Sequence, residues 1–241
     1  MKRSRLYIPV LLVGMLFFTG CLDIIETVSV NKDGTGNYKL NIDMSSLLSD
    51  PSMSGLVLSS LQGENGLFEQ GQEIELDTVL YFTDMPAPEG NISADIWEKV
   101  NMKMKISESS GALKTEIVIP FNDISELEYV ISTLSSYDSE VAAITEGGLL
   151  DPSTMRFALD KKKISRSNTG AINEGLNQDD LAMLQMFMTD ATYTTVYEVP
   201  GKVKSTSFEN AQVDDKTVTN SYNLLELMQG NANLDGSISF K

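Results

Sequence analysis

The strongest constraint on the fold lies between Val100 and Ile119. Val100, Met102, Met104 and Ile106 alternate with Asn101, Lys103, Lys105 and Ser107. After Ser109-Ser110-Gly111, Leu113, Thr115, Ile117 and Ile119 alternate with Lys114, Glu116 and Val118. Successive side chains of a strand point to opposite faces, so the pattern describes two strands with one buried and one wet face, joined by a turn. One-sided strands of this kind belong to antiparallel sheets, because the strands of a parallel sheet are covered on both faces and read as continuous apolar runs. The expected fold class is therefore α+β: a curved antiparallel sheet built from hairpins, with helices packed mainly on one face.

The other segments extend this scheme. Thr27-Val28-Ser29-Val30 and Tyr38-Lys39-Leu40-Asn41-Ile42 flank Asn31-Lys32-Asp33-Gly34-Thr35-Gly36 and read as a further hairpin. Its turn superficially resembles a calcium loop but lacks the full oxygen series and the distal glutamate, so no metal site is expected there. Helix-like clusters follow at Ser45 to Leu48 and Met53 to Leu61, and then a strand from Glu73 to Phe82. Asp123 with Glu126 three residues on approximates a capping box, and Ile124, Leu127, Ile131 and Leu134 form one helical stripe. The order hairpin, polar residues, helix thus occurs twice, the pattern of a duplication.

Residues 135–153 and 165–176 read as polar loops. Met155 to Leu159 reads as a strand ending in Lys161-Lys162-Lys163, which in an acidic chain is a solvated strand end rather than a phosphate site. Strands are expected at Tyr193 to Val199, Lys216 to Tyr222 and Leu234 to Phe240, with a short apolar cluster at Leu224 to Met228. A helix over 177–190 is unusual. Between Leu181 and Met188 only Ala182 and Gln185 interrupt the large apolar side chains, so most of its circumference is apolar. Two readings stand, a helix buried on two sides and a lid over an apolar cavity.

The N-terminus carries the one piece of chemistry that can be named. Lys2, Arg3 and Arg5 precede an apolar run from Leu6 to Phe18, then Thr19-Gly20-Cys21. This is the layout of a secretory signal. A run of about thirteen residues is short of the roughly twenty that span a bilayer. Phe18-Thr19-Gly20-Cys21 resembles a bacterial lipobox, which implies residues 1–20 as a lipoprotein signal peptide, cleavage before Cys21, and a diacyl lipid on that cysteine. Two acyl chains give stable anchoring. The expected location is extracytoplasmic, at the cell membrane or outer membrane, with residues 21–241 forming one domain. Cys21 is the only cysteine, so no internal disulfide can form.

Composition narrows the function. Without Lys2, Arg3 and Arg5, 15 basic residues of 18 remain against 34 acidic ones, a formal charge of −19. Nucleic acid is excluded as a partner, because binding it requires clustered Lys and Arg to neutralise phosphates. The acyl chains are then the only evident attachment to a membrane. The chain has no histidine. Serine–histidine and cysteine–histidine catalysis and histidine zinc sites are thereby excluded. No catalytic residue, cofactor-binding residue or metal ligand stands out, and a non-enzymatic protein is expected.

Val199-Pro200-Gly201-Lys202-Val203 followed by Val213-Asp214-Asp215-Lys216-Thr217-Val218-Thr219, together with a lipidated cysteine ahead of a glycine-containing hairpin, resembles the LppM-like domain of bacterial envelope lipoproteins. A tryptophan expected after that second strand is replaced by Asn220 and Ser221. The resemblance implies a curved antiparallel α+β domain with a role in binding lipids or glycolipids, and no catalytic residues. An apolar cavity between sheet and helices would be lined by Met102, Met104, Met183, Phe187, Tyr193 and Tyr197. All six are equally suited to a plain core. The alternative partner is a protein of the envelope or of a host surface, met through the loops at 136–153 and 165–176.

Overall fold

Alternation determines which side of each strand is buried, and the same face recurs strand after strand. The structure, a computed structural model, describes residues 22–62, 67–84, 94–136, 155–168 and 189–241. Cys21, the segment 177–188 with Met183 and Phe187, and most of the loop at 136–153 lie outside the described residues.

The strands, in chain order, are β1 (Asp23–Val30), β2 (Gly36–Asp43), β3 (Glu75–Tyr81), β4 (Asn101–Ser107), β5 (Ala112–Phe121), β6 (Met155–Asp160), β7 (Lys163–Asn168), β8 (Thr192–Glu198), β9 (Val203–Thr206), β10 (Gln212–Asp214), β11 (Thr217–Asn223) and β12 (Gly236–Phe240). The helices are α1 (Ser45–Ser49), α2 (Ser54–Leu61), α3 (Ala94–Trp97), α4 (Glu126–Ser136) and α5 (Leu224–Met228). Eight strands form one sheet in the order β10-β11-β8-β1-β2-β5-β4-β3, and four form a second in the order β6-β7-β12-β9. Every pairing is antiparallel except β1 with β8, which run parallel. That pair joins two strands far apart in sequence, as a parallel pair must, since it cannot be closed by a tight turn. The α+β class with hairpin-built sheets is the observed architecture.

The inner face of the large sheet is apolar for most of its width. Ile24 and Val28 of β1, Tyr38 and Leu40 of β2, Ile117 and Ile119 of β5, and Met102 of β4 are all buried on it. The small sheet contributes Phe157, Ile164, Ile238 and Phe240 to the same core, and the helices add Leu127, Val130, Ile131 and Leu134 of α4 and Leu224, Leu227 and Met228 of α5. A satellite cluster of Phe68, Ile74, Ile106 and Leu113 lies at one end of β3, β4 and β5, under α1 and α2.

Local signals explain the element ends. Glu126 Oε2 accepts from the backbone N–H groups of Asn122 (2.7 Å) and Asp123 (3.2 Å), while Asp123 Oδ1 accepts from the Ser125 N–H and hydroxyl. These are the two halves of a capping box at the start of α4. The β1–β2 turn is closed by Asn31 N–H to the Thr35 carbonyl (2.7 Å), with Gly34 at φ +91°. Gly36 is required by contact: a Cβ there would lie 2.1 Å from the Ser29 carbonyl oxygen and 2.4 Å from the Phe121 ring.

Two expectations need correction. Residues 165–168 are not loop but part of β7, which pairs with both β6 and β12. The pattern Ile164-x-Arg166 breaks apolar alternation because the second inward position is a buried arginine. The short strands β9 and β10 are also unforeseen; β10 has no buried residue, and none of the four in β9 is fully buried.

Candidate functional site

Two polar features stand out on the large sheet, one on each face. On the inner face, register places Asn220, Thr195 and Glu26 side by side on β11, β8 and β1. The same row continues as Leu40, Ile117, Met102 and Leu80 on β2, β5, β4 and β3. One end of the row is therefore polar and buried, and the rest is apolar, buried as far as Met102 and exposed at Leu80 on the edge strand. Arg166 descends on the polar end from β7 of the small sheet. Its Nη1 lies 2.6 Å from Glu26 Oε2, and both side chains have zero exposure. The Tyr193 hydroxyl also donates to Glu26 Oε2. Arg166 Nη2 reaches Met155 Sδ at 3.1 Å, and the guanidinium lies 5.5 Å from the centre of the Phe157 ring, a cation–π distance.

Burial and charge shift the titration of Arg166 and the tyrosines around it. Burial pushes the Tyr193 phenol well above its ordinary range, and the Glu26 carboxylate beside it adds to the effect. Burial likewise raises Tyr197 and Tyr38, with Arg166 pulling partly the other way in each. For Arg166, burial alone would lower the pKa; Glu26 and the two tyrosines outweigh it and hold the guanidinium well above the usual value. Glu26 Oε1, Thr195 Oγ1, the Tyr197 and Tyr222 hydroxyls and both amide atoms of Asn220 are buried without a well-aligned hydrogen-bond partner. A charged pair buried to this degree costs desolvation that its attraction only partly repays, so it specifies arrangement more than it adds stability. Here it joins β1 of the large sheet to β7 of the small one.

The outer face carries the second feature, a trough of about 620 Å³ over the strand ends at the start of β1. Its walls are ion pairs and hydroxyls. Lys114 Nζ lies 2.7 Å from Asp43 Oδ2, Lys103 Nζ 2.6 Å from Glu116 Oε1, and the Thr192 hydroxyl donates to Asp23 Oδ1 at 2.6 Å. Asn41, Asp77, Lys105 and Thr194 add to the polar lining, and Ile25 supplies apolar ground between them. Ile25 is 40% exposed.

Asp23 and Asp43 are cross-strand partners within this trough, which makes them the one carboxylate pair to weigh for acid–base chemistry. Each is already engaged. Burial pushes the Asp43 carboxyl up, but the Lys114 ammonium and the Ser45 hydroxyl and N–H outweigh it and hold it below the ordinary range. A general acid working near neutral pH needs the opposite shift. Among the described residues no group of three or more His, Cys, Asp or Glu side chains is arranged to hold a metal ion, and no helix is long and apolar enough to cross a membrane.

Of the side chains suggested for an apolar cavity, Met102 and Met104 are adjacent inward positions of β4, and Tyr193 and Tyr197 are inward positions of β8. β1, β2 and β5 separate the two pairs. Tyr193 belongs to the Glu26–Arg166 cluster, Tyr197 stacks on Phe208 at 5.0 Å between ring centres, and Met104 is 7% exposed in the main core. Glu26 escapes notice in a first reading, although Ile24-x-Glu26-x-Val28 places a carboxylate on the buried face by alternation alone.

No family model and no curated protein matches the chain. Among solved structures, the folded domain of the Mycobacterium tuberculosis LppM protein, determined by NMR, aligns over 99% of this chain and 95% of that one, at 10% identity and a TM-score of 0.44.

Proposed function

We propose that this protein is a lipid-anchored, non-enzymatic binding domain on the outer side of a cell membrane, and that its trough takes the polar head of a lipid or glycolipid. The observation that carries the reading is position. Asp23 lines the trough, opens β1, and stands two residues after Cys21, the residue a lipobox would lipidate. A trough beside the anchor faces molecules at the membrane surface. Its mixture of carboxylates, ammonium groups and threonine hydroxyls around the exposed Ile25 suits a hydroxyl-rich or zwitterionic head.

Native mass spectrometry of the mature protein titrated with envelope lipids tests the assignment. A bound lipid that is lost in Ile25→Asp or Lys114→Glu, at unchanged thermal stability, supports it. A protein that retains no lipid at any concentration, or one whose bound lipid is indifferent to both substitutions, contradicts it.

One observation favours a second reading, recruitment of a protein partner. β3 is the edge of the large sheet, and Val79, Leu80 and Tyr81 on it are 43%, 41% and 59% exposed. An apolar edge strand is a template for pairing with another chain. Crosslinking in cells through a photoreactive residue at position 81 distinguishes the two, since a single stoichiometric protein adduct favours the second.

A further inference from the structure

The end of the large sheet where β1 starts carries an unusual surface. β2 ends there at Asp43, the cross-strand partner of Asp23, and α1 and α2 follow directly. Met44 N–H donates to the Leu113 carbonyl (2.8 Å) and the Ser45 hydroxyl accepts from Leu113 N–H (3.1 Å), which ties this pair of helices to the start of β5. From Met44 to Gln62 the only charged residue is Asp50, in a chain that is 22% charged. Neither helix contains a fully buried residue. Leu48, Val57, Leu58 and Leu61 pack against the satellite cluster beneath, Leu47 is half-buried, and Leu56 is 63% exposed. This is a serine- and leucine-rich, nearly uncharged surface on a strongly acidic protein.

Its location identifies the occupant. Leu22 is 5% exposed, and Asp23 is paired on both sides, with Asp43 and with Thr192. One peptide bond, about 3.8 Å between α-carbons, separates Cys21 from Leu22. A lipid on Cys21 would therefore have no linker, and the sheet end holding Asp23 would lie against the bilayer. Two strand spacings of about 4.8 Å each carry the sheet from β1 to the start of β5, where α1 and α2 are attached.

We propose that α1 and α2 form a membrane-contacting surface that rests on the lipid interface beside the acyl anchor, with Leu56 inserted. The proposal rests on lipidation of Cys21. An uncharged apolar surface avoids the repulsion that acidic side chains would meet at an anionic bilayer and buries exposed hydrocarbon in the interface. It also gives the anchored domain a fixed tilt, with the trough opening at the membrane.

The test uses the full lipidated protein in phosphatidylcholine vesicles with brominated acyl chains, which quench tryptophan at short range. Trp97 is 2% exposed and provides the background in the unsubstituted protein. Leu56→Trp and Ser60→Trp, one turn apart on α2, are compared with Val213→Trp, which replaces a residue of β10 that is 50% exposed. Quenching at 56 and 60 but not at 213 is the expected result. Vesicle-bound protein with no quenching at 56 and 60, or with equal quenching at all three positions, overturns the proposal and leaves the anchor in place. Protein that fails to float with the vesicles overturns the proposal and the anchor together.

Discussion

Glu26 and Arg166 come from strands 140 residues apart and meet with no exposed side-chain surface on either. Removing one partner strands a charge in the core, which costs about 3–5 kcal/mol, whereas replacing both with apolar groups of similar size is far milder. The prediction is that Glu26→Leu and Arg166→Met each destabilise by that amount in chemical denaturation, and that the double variant recovers most of the loss. The tyrosines around the pair give a pH dependence whose sign is fixed. Tyr193 and Tyr38 have folded pKa values raised well above 10.0 by burial. A raised acid contributes stability in its protonated form, fully present below the unfolded value near 10 and lost as pH rises beyond it. Stability should therefore be flat through neutral pH and fall above pH 10, by up to about 1.4 kcal/mol per pH unit for each phenol that ionises only on unfolding. Tyr193→Phe should shallow that slope in urea titrations between pH 9 and 11. At this scale the sequence is readable only in part. Position 26 is inward by alternation, but nothing in a linear pattern pairs it with Arg166, whose own strand is disguised because a charge replaces the second apolar position.

Elements were legible where alternation or capping was strong. The two hairpins, α4 with its capping box, β8, β11 and β12 follow from patterns of period two or of period 3.6, because each buries a regular face. β7, β9 and β10 did not, since between them only Ile164 and Arg166 are buried. The capping box is a direct test of the local reading: Glu126→Ala removes the acceptor for two backbone N–H groups and should cost about 1 kcal/mol in thermal unfolding with little change elsewhere. Gly36→Ala probes tertiary fit instead. The added carbon has backbone at 2.1 Å on one side and an aromatic ring on the other, so about 1–3 kcal/mol should be lost even though alanine suits a strand no worse than glycine does. Equal stability in the alanine variant would mean that β1, β2 and Phe121 are not packed as described.

At the scale of the whole molecule, the two faces of the large sheet divide the labour. The inner face binds the small sheet and the helices; the outer face carries the trough and is not covered by any of the described residues. The four candidate cavity residues that are described, Met102, Met104, Tyr193 and Tyr197, fall on the inner face, because apolar alternation reports burial and not concavity. The trough residues are polar, scattered over six strands, and brought together only by the register of the sheet. The proposed link between this architecture and a membrane is Cys21, one residue before the buried Leu22. Mass spectrometry of the N-terminal peptide from the membrane fraction tests it most directly. The account predicts a peptide that begins at Cys21 and carries a diacylglyceryl group, together with release of a Cys21→Ser variant from that fraction. An unmodified cysteine in a chain that retains residues 1–20, or a Cys21→Ser variant that stays membrane-bound, would contradict it.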